Sequence, residues 1–195
     1  MLRSLRSLCI ALTASLALAA CSHELKWRTS NIDGMVPNLA FKLTDDNGRE
    51  VTAKDYAGKT VLLYFGYTSC PDVCPTTLSK LGQALKQMDK RGARIQVLFV
   101  TADPKRDTVQ RLHEYVQAFG PWLTGLRGSQ DELHELAKRY RVSYSYGKPD
   151  KDGNYEVTHS SGVFVFDGTG RSKLLILPRN TAAEIGSDLD QLRSQ

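Results

Sequence analysis

The 195 residues allow one domain of ordinary size, or at most two small ones. Hydrophobic residues make up 41% and charged residues 24%, a composition that suits a globular protein with a buried core and excludes a disordered chain. The formal charge is +5, but basic and acidic residues alternate along the predicted helices, which argues against nucleic-acid binding.

The N-terminus carries a pattern typical of an export signal. A short basic stretch over residues 1–7 precedes an apolar run over residues 8–20, which is too short for a bilayer that needs about 20 apolar residues. The Leu-Ala-Ala-Cys sequence that ends at Cys21 resembles the cleavage box of bacterial lipoproteins, in which the cysteine carries lipid. It predicts a signal peptide over 1–20 and an exported protein, held at a bacterial membrane by lipid on Cys21 with its domain in the periplasm. An ordinary signal peptide and a poor membrane anchor are the alternatives.

The predicted signal and lipid anchor leave only two of the four cysteines available in the folded domain. Residues 21–36 show no clear periodicity and predict a tether, followed by a folded domain over residues 37–195. With Cys9 inside the predicted signal and Cys21 lipidated, the mature chain keeps Cys70 and Cys74. The mature chain therefore has one local cysteine pair in an oxidising compartment, and no other cysteine with which either thiol could form a disulfide.

Hydrophobic periodicity and turn residues predict the elements of the domain in chain order. They are a hairpin with strands over 41–43 and 50–52, a buried strand over 60–65, a helix over 74–90, a buried strand over 94–101, helices over 107–119 and 129–140, a hairpin over 142–158, strands over 162–167 and 172–177, and a helix from 181. Helices that alternate with strands favour parallel strands and helices on both faces of a sheet. We therefore predict an α/β fold in one domain, with an extra N-terminal β-hairpin and an inserted hairpin near 142–158.

The two remaining cysteines lie where the first buried strand gives way to a helix, in the sequence Cys-Pro-Asp-Val-Cys. The unpaired N–H groups and the dipole of a helix N-terminus favour thiolates there. Two thiolates on a turn stiffened by Pro71 and Pro75 form a soft site of low coordination that suits Cu(I). The same pair could close into a redox-active disulfide. A purely structural disulfide is the remaining alternative, although so small a loop gains little chain entropy.

The strand, cysteine loop and helix start over residues 65–75 resemble the Sco/SenC family, thioredoxin-like copper proteins that help mature cytochrome c oxidase. The resemblance runs from about Pro37 to the C-terminal helix, and three further segments carry it: residues 103–108, 123–126 and 157–160. It implies a thioredoxin-like fold and a copper-binding protein.

The same resemblance implies that His159 is the third copper ligand, beside Cys70 and Cys74. An imidazole next to two thiolates would let one site hold both Cu(I) and Cu(II). Many family members have Asp immediately before this histidine, where this chain has Thr158. We expect the same three ligands in spite of this difference. If the Asp of other members orients or tunes the histidine, the Cu(II) affinity of this chain should differ from theirs.

The implied function is that of a metallochaperone, which passes copper to the copper-bearing subunit of cytochrome c oxidase or to another copper or thiol protein. The alternative is a thiol–disulfide oxidoreductase with Cys70 and Cys74 as its redox pair. A thiol peroxidase is a third option, because one fold hosts several functions. The three-residue spacing and His159 favour the metallochaperone, since many oxidoreductases of this fold use Cys-x-x-Cys and need no histidine there.

Other polar residues near the predicted site have two interpretations. Asp103, Arg106 and Asp107 form either a charged patch beside the metal loop that serves docking or electrostatic tuning, or a turn in which Asp107 or Thr108 caps the next helix and Arg106 makes an ion pair. The remaining histidines are interpreted as exposed or partly buried residues without a metal role: His23, His113 and His134.

Overall fold

A computed structural model of the protein describes residues 26–88, 92 and 94–194. The strands in this part of the chain are β1 (Ser30–Asn31), β2 (Lys42–Asp45), β3 (Glu50–Thr52), β4 (Thr60–Gly66), β5 (Ile95–Thr101), β6 (Leu123–Arg127), β7 (Tyr144–Tyr146), β8 (Val157–His159), β9 (Val163–Phe166) and β10 (Ser172–Ile176). The α-helices are α1 (Val73–Gln87), α2 (Val109–Gln117), α3 (Gln130–Arg139) and α4 (Ala182–Arg193), and a 3-10 helix spans Ala53–Tyr56.

The centre of the fold is an eight-stranded sheet in the order β1-β10-β9-β4-β5-β6-β2-β3. Strands β4, β5 and β6 run parallel, and β9 pairs with β4 in the antiparallel direction. Every residue of β4 and β5 is buried, as expected for the apolar strands of a sheet covered on both faces.

The alternation of side chains along β4 divides the core into two layers. Leu62 and Tyr64 face a cluster that holds the apolar residues of α1, α2 and α4. Leu63 and Phe65 face a second cluster, in which the apolar residues of α3 pack. The α/β fold with helices on both faces is therefore confirmed, as are both predicted hairpins, β2–β3 and β7–β8.

Strand β6 is missing from the sequence prediction, as is the two-residue strand β1. The segment Leu123–Arg127 forms β6, which pairs in parallel with β5 and carries β2 on its other side. Its five residues include Thr124 and Gly125, which interrupt the apolar pattern that marks the longer strands.

The folded unit also begins earlier than the predicted boundary at Pro37. Strand β1 pairs with β10, and the side chain of Ile32 is buried. The carboxylate of Asp188 in α4 accepts hydrogen bonds from the backbone N–H groups of Arg28 and Thr29 at 2.9 Å and 2.8 Å. Part of the predicted tether over 21–36 is thus held against the domain by backbone bonds that its sequence pattern does not reveal.

The predicted signal peptide over 1–20 and the predicted lipidation site at Cys21 lie outside the described residues. Among residues 26–88, 92 and 94–194, no helix combines the length and apolar character that crossing a bilayer requires.

Candidate metal centre

The two cysteines lie at the carboxyl end of β4, where the chain turns into α1. Cys70 is half-buried in the connecting loop, whereas Cys74 is fully buried in the first turn of the helix. The backbone N–H of Cys74 donates a hydrogen bond to the Cys70 sulfur at 3.4 Å, so the helix N-terminus faces that sulfur. Both residues are free thiols.

His159 is the last residue of β8 and reaches the cysteines from the inserted hairpin. Its Nε2 atom lies 3.3 Å from Sγ of Cys74. Its Nδ1 atom lies 3.0 Å from the carbonyl oxygen of Ser160, which only accepts hydrogen bonds, so Nδ1 carries the proton and Nε2 offers its lone pair to the site. The rings of Tyr64 and Tyr67 flank the imidazole at centroid distances of 6.0 Å and 6.1 Å.

Burial determines the protonation states of His159 and Cys74. It lowers the pKa of His159, which keeps the imidazole neutral and able to act as a ligand. Burial also raises the pKa of the Cys74 thiol to about 12. The expectation that the helix N-terminus makes both sulfurs thiolates is therefore wrong for Cys74, because its apolar surroundings outweigh the helix dipole. A metal has to displace that proton in order to bind.

The three predicted site residues come together in space. One ligand atom each from Cys70, Cys74 and His159 lies within 4.8 Å of the others, and the residues described contain no second group of three metal-ligating side chains. Two sulfurs and one imidazole nitrogen form a soft donor set, which fits copper and disfavours hard cations that need oxygen ligands.

Gly66 makes room for this arrangement and was not recognised as a site residue. A Cβ atom at this position would lie 2.5 Å from the Phe99 ring and 2.8 Å from Sγ of Cys74. A glycine at the end of an apolar strand is a signal of close approach that was available in the sequence.

Asp107 fixes the start of the cysteine loop and was also missed in this role. Its carboxylate is fully buried and accepts hydrogen bonds from the backbone N–H of Thr68 at 3.0 Å and from its hydroxyl at 2.6 Å. The hydroxyl of Thr101 at the end of β5 donates a further bond of 2.6 Å. Asp107 therefore ties the cysteine loop to the neighbouring strand.

The segment around Asp107 confirms the turn interpretation. Thr108 caps α2 by accepting a hydrogen bond from the backbone N–H of Arg111, and Arg106 forms an ion pair with the buried Asp103. His113 pairs with Asp46 at 2.9 Å, away from the candidate ligands. His134 lies on the exposed side of α3, and His23 lies outside the described residues.

The model of the SCO1/SenC family matches residues 34–194. The chain belongs to the SCO1/SenC family. It is 43% identical over 132 residues to the mitochondrial SCO2 homolog of Bos taurus. The matched segment covers 67% of this chain and 50% of the bovine protein. This chain is also 36% identical over 194 residues to the protein sco1 of Schizosaccharomyces pombe. The matched segment covers 93% of this chain and 73% of that relative.

Solved structures of family members share the fold. Arabidopsis thaliana ScoI with copper bound has a TM-score of 0.75 at 34% identity, covering 81% of this chain and 99% of that chain. Yeast Sco1 with copper bound has a TM-score of 0.75 at 35% identity, covering 82% of this chain and 90% of that chain. The thioredoxin-like fold implied by the resemblance is therefore confirmed. The SCO1/SenC chain spans 50% of the length of the bovine relative and 63% of that of the mouse relative.

The comparisons contradict the predicted location. The bovine SCO2 homolog, the Arabidopsis SCO1 homolog 1 and the human SCO1 homolog are mitochondrial proteins by name. The prediction of an exported protein, lipid-anchored to a bacterial membrane with its domain in the periplasm, is therefore wrong. It rested on a short N-terminal pattern outside the described residues, and a basic stretch followed by apolar residues is common to several targeting signals.

Proposed function

We propose that this SCO1/SenC chain binds copper through Cys70, Cys74 and His159 and acts as a copper metallochaperone. The observation that carries the proposal is the approach of His159 Nε2 to within 3.3 Å of Cys74 Sγ, next to a second free thiol. Copper-bound relatives of the same fold support it.

The two thiols and the imidazole have different tasks in this proposal. Cu(I) favours few, soft ligands, so the two sulfurs supply its binding once their protons are displaced. The neutral imidazole adds the nitrogen that Cu(II) prefers. A site with all three ligands can therefore retain copper in either oxidation state.

The exposure of the loop suits a site that releases its cargo. Cys70 is half-buried and the three residues that follow it, Pro71, Asp72 and Val73, are exposed, while Cys74 lies beneath them. An incoming ligand from a partner protein meets the metal first on the Cys70 side. We infer that copper leaves by ligand exchange that begins at Cys70.

We propose the copper-bearing subunit of cytochrome c oxidase as the receiving partner, with another copper or thiol protein as the alternative; membership of the SCO1/SenC family supports this proposal. Such a partner would supply thiolate or imidazole ligands that replace those of this chain one at a time. Stepwise exchange avoids releasing free copper.

A thiol–disulfide oxidoreductase remains a second candidate, because the backbone N–H of Cys74 lies 3.4 Å from the sulfur of a free Cys70. In that reaction a thiolate attacks a sulfur of the target disulfide, and the second cysteine of this chain then displaces the reduced target. The chain loses two electrons and two protons as Cys70 and Cys74 form a disulfide, and the target gains them. The high pKa of Cys74 favours Cys70 as the attacking sulfur.

A metal titration of the reduced domain tests the proposal. We expect about one copper per chain, with a Cu(II) thiolate charge-transfer band that changes in His159→Ala and is lost in Cys74→Ser. His113→Ala is a matched control, because it removes a histidine that lies away from the site. A wild-type protein that binds no copper but reduces a disulfide substrate would establish the oxidoreductase instead.

A further inference from the structure

The hairpin that carries His159 is not part of the main sheet. Strands β7 and β8 pair only with each other and form a separate two-stranded sheet. The position of the imidazole relative to the cysteines therefore depends on the chain that continues into β9 and on side-chain contacts between the hairpin and the body of the domain.

One group of three side chains makes such a contact, and we call Asp103, Arg106 and Tyr155 the Arg106 strut. Asp103 is fully buried after β5, and the Nε–H group of Arg106 donates to its carboxylate. The hydroxyl of Tyr155, from the hairpin, donates to the other oxygen of the same carboxylate at 2.9 Å. The guanidinium carbon of Arg106 lies 3.7 Å from the centre of the Tyr155 ring. One guanidinium thus joins the hairpin to the end of β5.

The guanidinium of Arg106 also contacts Tyr67, whose ring lies beside the imidazole of His159. Its carbon lies 5.7 Å from the centre of the Tyr67 ring. Tyr67 in turn meets the His159 ring edge-on, with an interplanar angle of 86°. Contacts of Arg106 therefore lead towards His159 by two routes, through the hairpin and through the aromatic ring beside the imidazole.

The chemistry of the strut requires arginine. A planar guanidinium can stack on a ring and bond a carboxylate at the same time, whereas a lysine ammonium is a compact charge on a flexible chain. The Nη2 atom of Arg106 is buried and has no hydrogen-bond partner among the described residues. The guanidinium is thus held by stacking and by Asp103 rather than by a full set of hydrogen bonds.

We propose that Arg106 is a positioning residue that holds His159 over the two cysteine sulfurs through the Arg106 strut and Tyr67. The inference rests on the proposed function, since His159 matters here as a copper ligand. Removing the guanidinium loosens the hairpin, so that the imidazole meets the metal less often. Binding that needs only the two sulfurs is retained.

Copper binding by Arg106→Ala tests the inference. We expect a loss of Cu(II) affinity of about tenfold or more, the size of effect typical of residues that orient a metal ligand. The charge-transfer band should move towards that of His159→Ala, while Cu(I) affinity changes by less than about threefold because both thiolates remain. Lys105→Ala is the matched control, because it removes an exposed cation one position away and leaves the Arg106 strut intact.

Two conservative variants keep the test decisive if Arg106→Ala does not fold. Arg106→Lys retains a cation for Asp103 but loses the planar stack, and Tyr155→Phe retains the ring but loses the hydroxyl bond. Each should weaken Cu(II) binding less than His159→Ala does. If the variants that fold bind Cu(II) like the wild type, with the same band, the inference is overturned while the proposed function stands.

Amide hydrogen exchange of the metal-free protein distinguishes failure of the positioning inference from failure of the proposed copper-binding function. The amides of Val157–His159 should exchange faster in Arg106→Lys and Tyr155→Phe than in the wild type or in Lys105→Ala. A wild type that binds no copper would refute the proposed function, and the positioning of His159 as a copper ligand would fall with it. Faster exchange in the variants would then still show that the Arg106 strut holds the hairpin, and unchanged exchange would refute that as well.

Discussion

The Nε2 atom of His159 lies 3.3 Å from Sγ of Cys74, although 85 positions separate the two residues in the chain. Cys74 belongs to the first turn of a helix and His159 to a separate hairpin, so only the folded domain brings them together. The site therefore depends on folding, and on contacts that lie outside the three ligand residues themselves.

Cys74 should react slowly with alkylating reagents. Burial raises the pKa of its thiol from 9.0 to about 12, so at pH 8 its thiolate fraction is about 10⁻⁴, against about 10⁻¹ for the same cysteine in the denatured protein. We expect the alkylation rate of Cys74 in the folded, metal-free protein to rise about tenfold per pH unit up to roughly pH 11. Mass spectrometry of iodoacetamide-treated protein measures this, and a rate that levels off near pH 9 would refute it.

Gly66→Ala should disturb the packing of Phe99 and Cys74 at the candidate copper site. The added methyl group would lie 2.5 Å from the Phe99 ring and 2.8 Å from Sγ of Cys74, so either the ring or the sulfur has to move. We expect a loss of about 1–3 kcal/mol in the free energy of unfolding, measured by urea denaturation, together with weaker copper binding.

Gly186→Ala is the control for this variant. Gly186 lies in α4, where a Cβ atom meets only ordinary contacts at 3.6 Å and beyond. Alanine is favoured over glycine in a helix by about 0.5–1 kcal/mol, so this variant should be as stable as the wild type or more so. Equal stability of the two variants would contradict the packing argument.

Asp107→Asn should weaken the connection between the cysteine loop and β5. The carboxylate accepts three hydrogen bonds from Thr68 and Thr101, and an amide that replaces one oxygen with a donor loses at least one of them. We expect destabilisation of about 1–3 kcal/mol, the cost of an unsatisfied buried polar group. Urea denaturation checks this, with Asp152→Asn in an exposed turn as the control. If both variants unfold at the same urea concentration as the wild type, Asp107 does not have this role.

The elements predicted well from the sequence are those with strong local patterns. Strands β4 and β5 are long apolar runs, and α3 begins at the capping box that Ser129 and Glu132 form. Strand β6 was missed because it is short and polar at Thr124, and its place in the sheet comes from pairing with β5 rather than from its own sequence.

The candidate site was predictable to a lesser degree. The cysteine pair is visible in the sequence because both residues fall in one loop, but the partner histidine followed from the family resemblance. The high pKa of Cys74 was not predictable, since it arises from burial by residues far away in the chain. The same holds for Asp107, whose bonds to Thr68 and Thr101 depend on how two loops meet.

X-ray absorption at the copper edge identifies the atoms that bind copper in this site. For the Cu(I)- and Cu(II)-loaded wild type we expect two sulfur ligands, with an imidazole nitrogen added in the Cu(II) form, and for His159→Ala the loss of that nitrogen signal. A Cu(II) spectrum that is the same in both proteins, or one sulfur ligand instead of two, would contradict a site built from Cys70, Cys74 and His159.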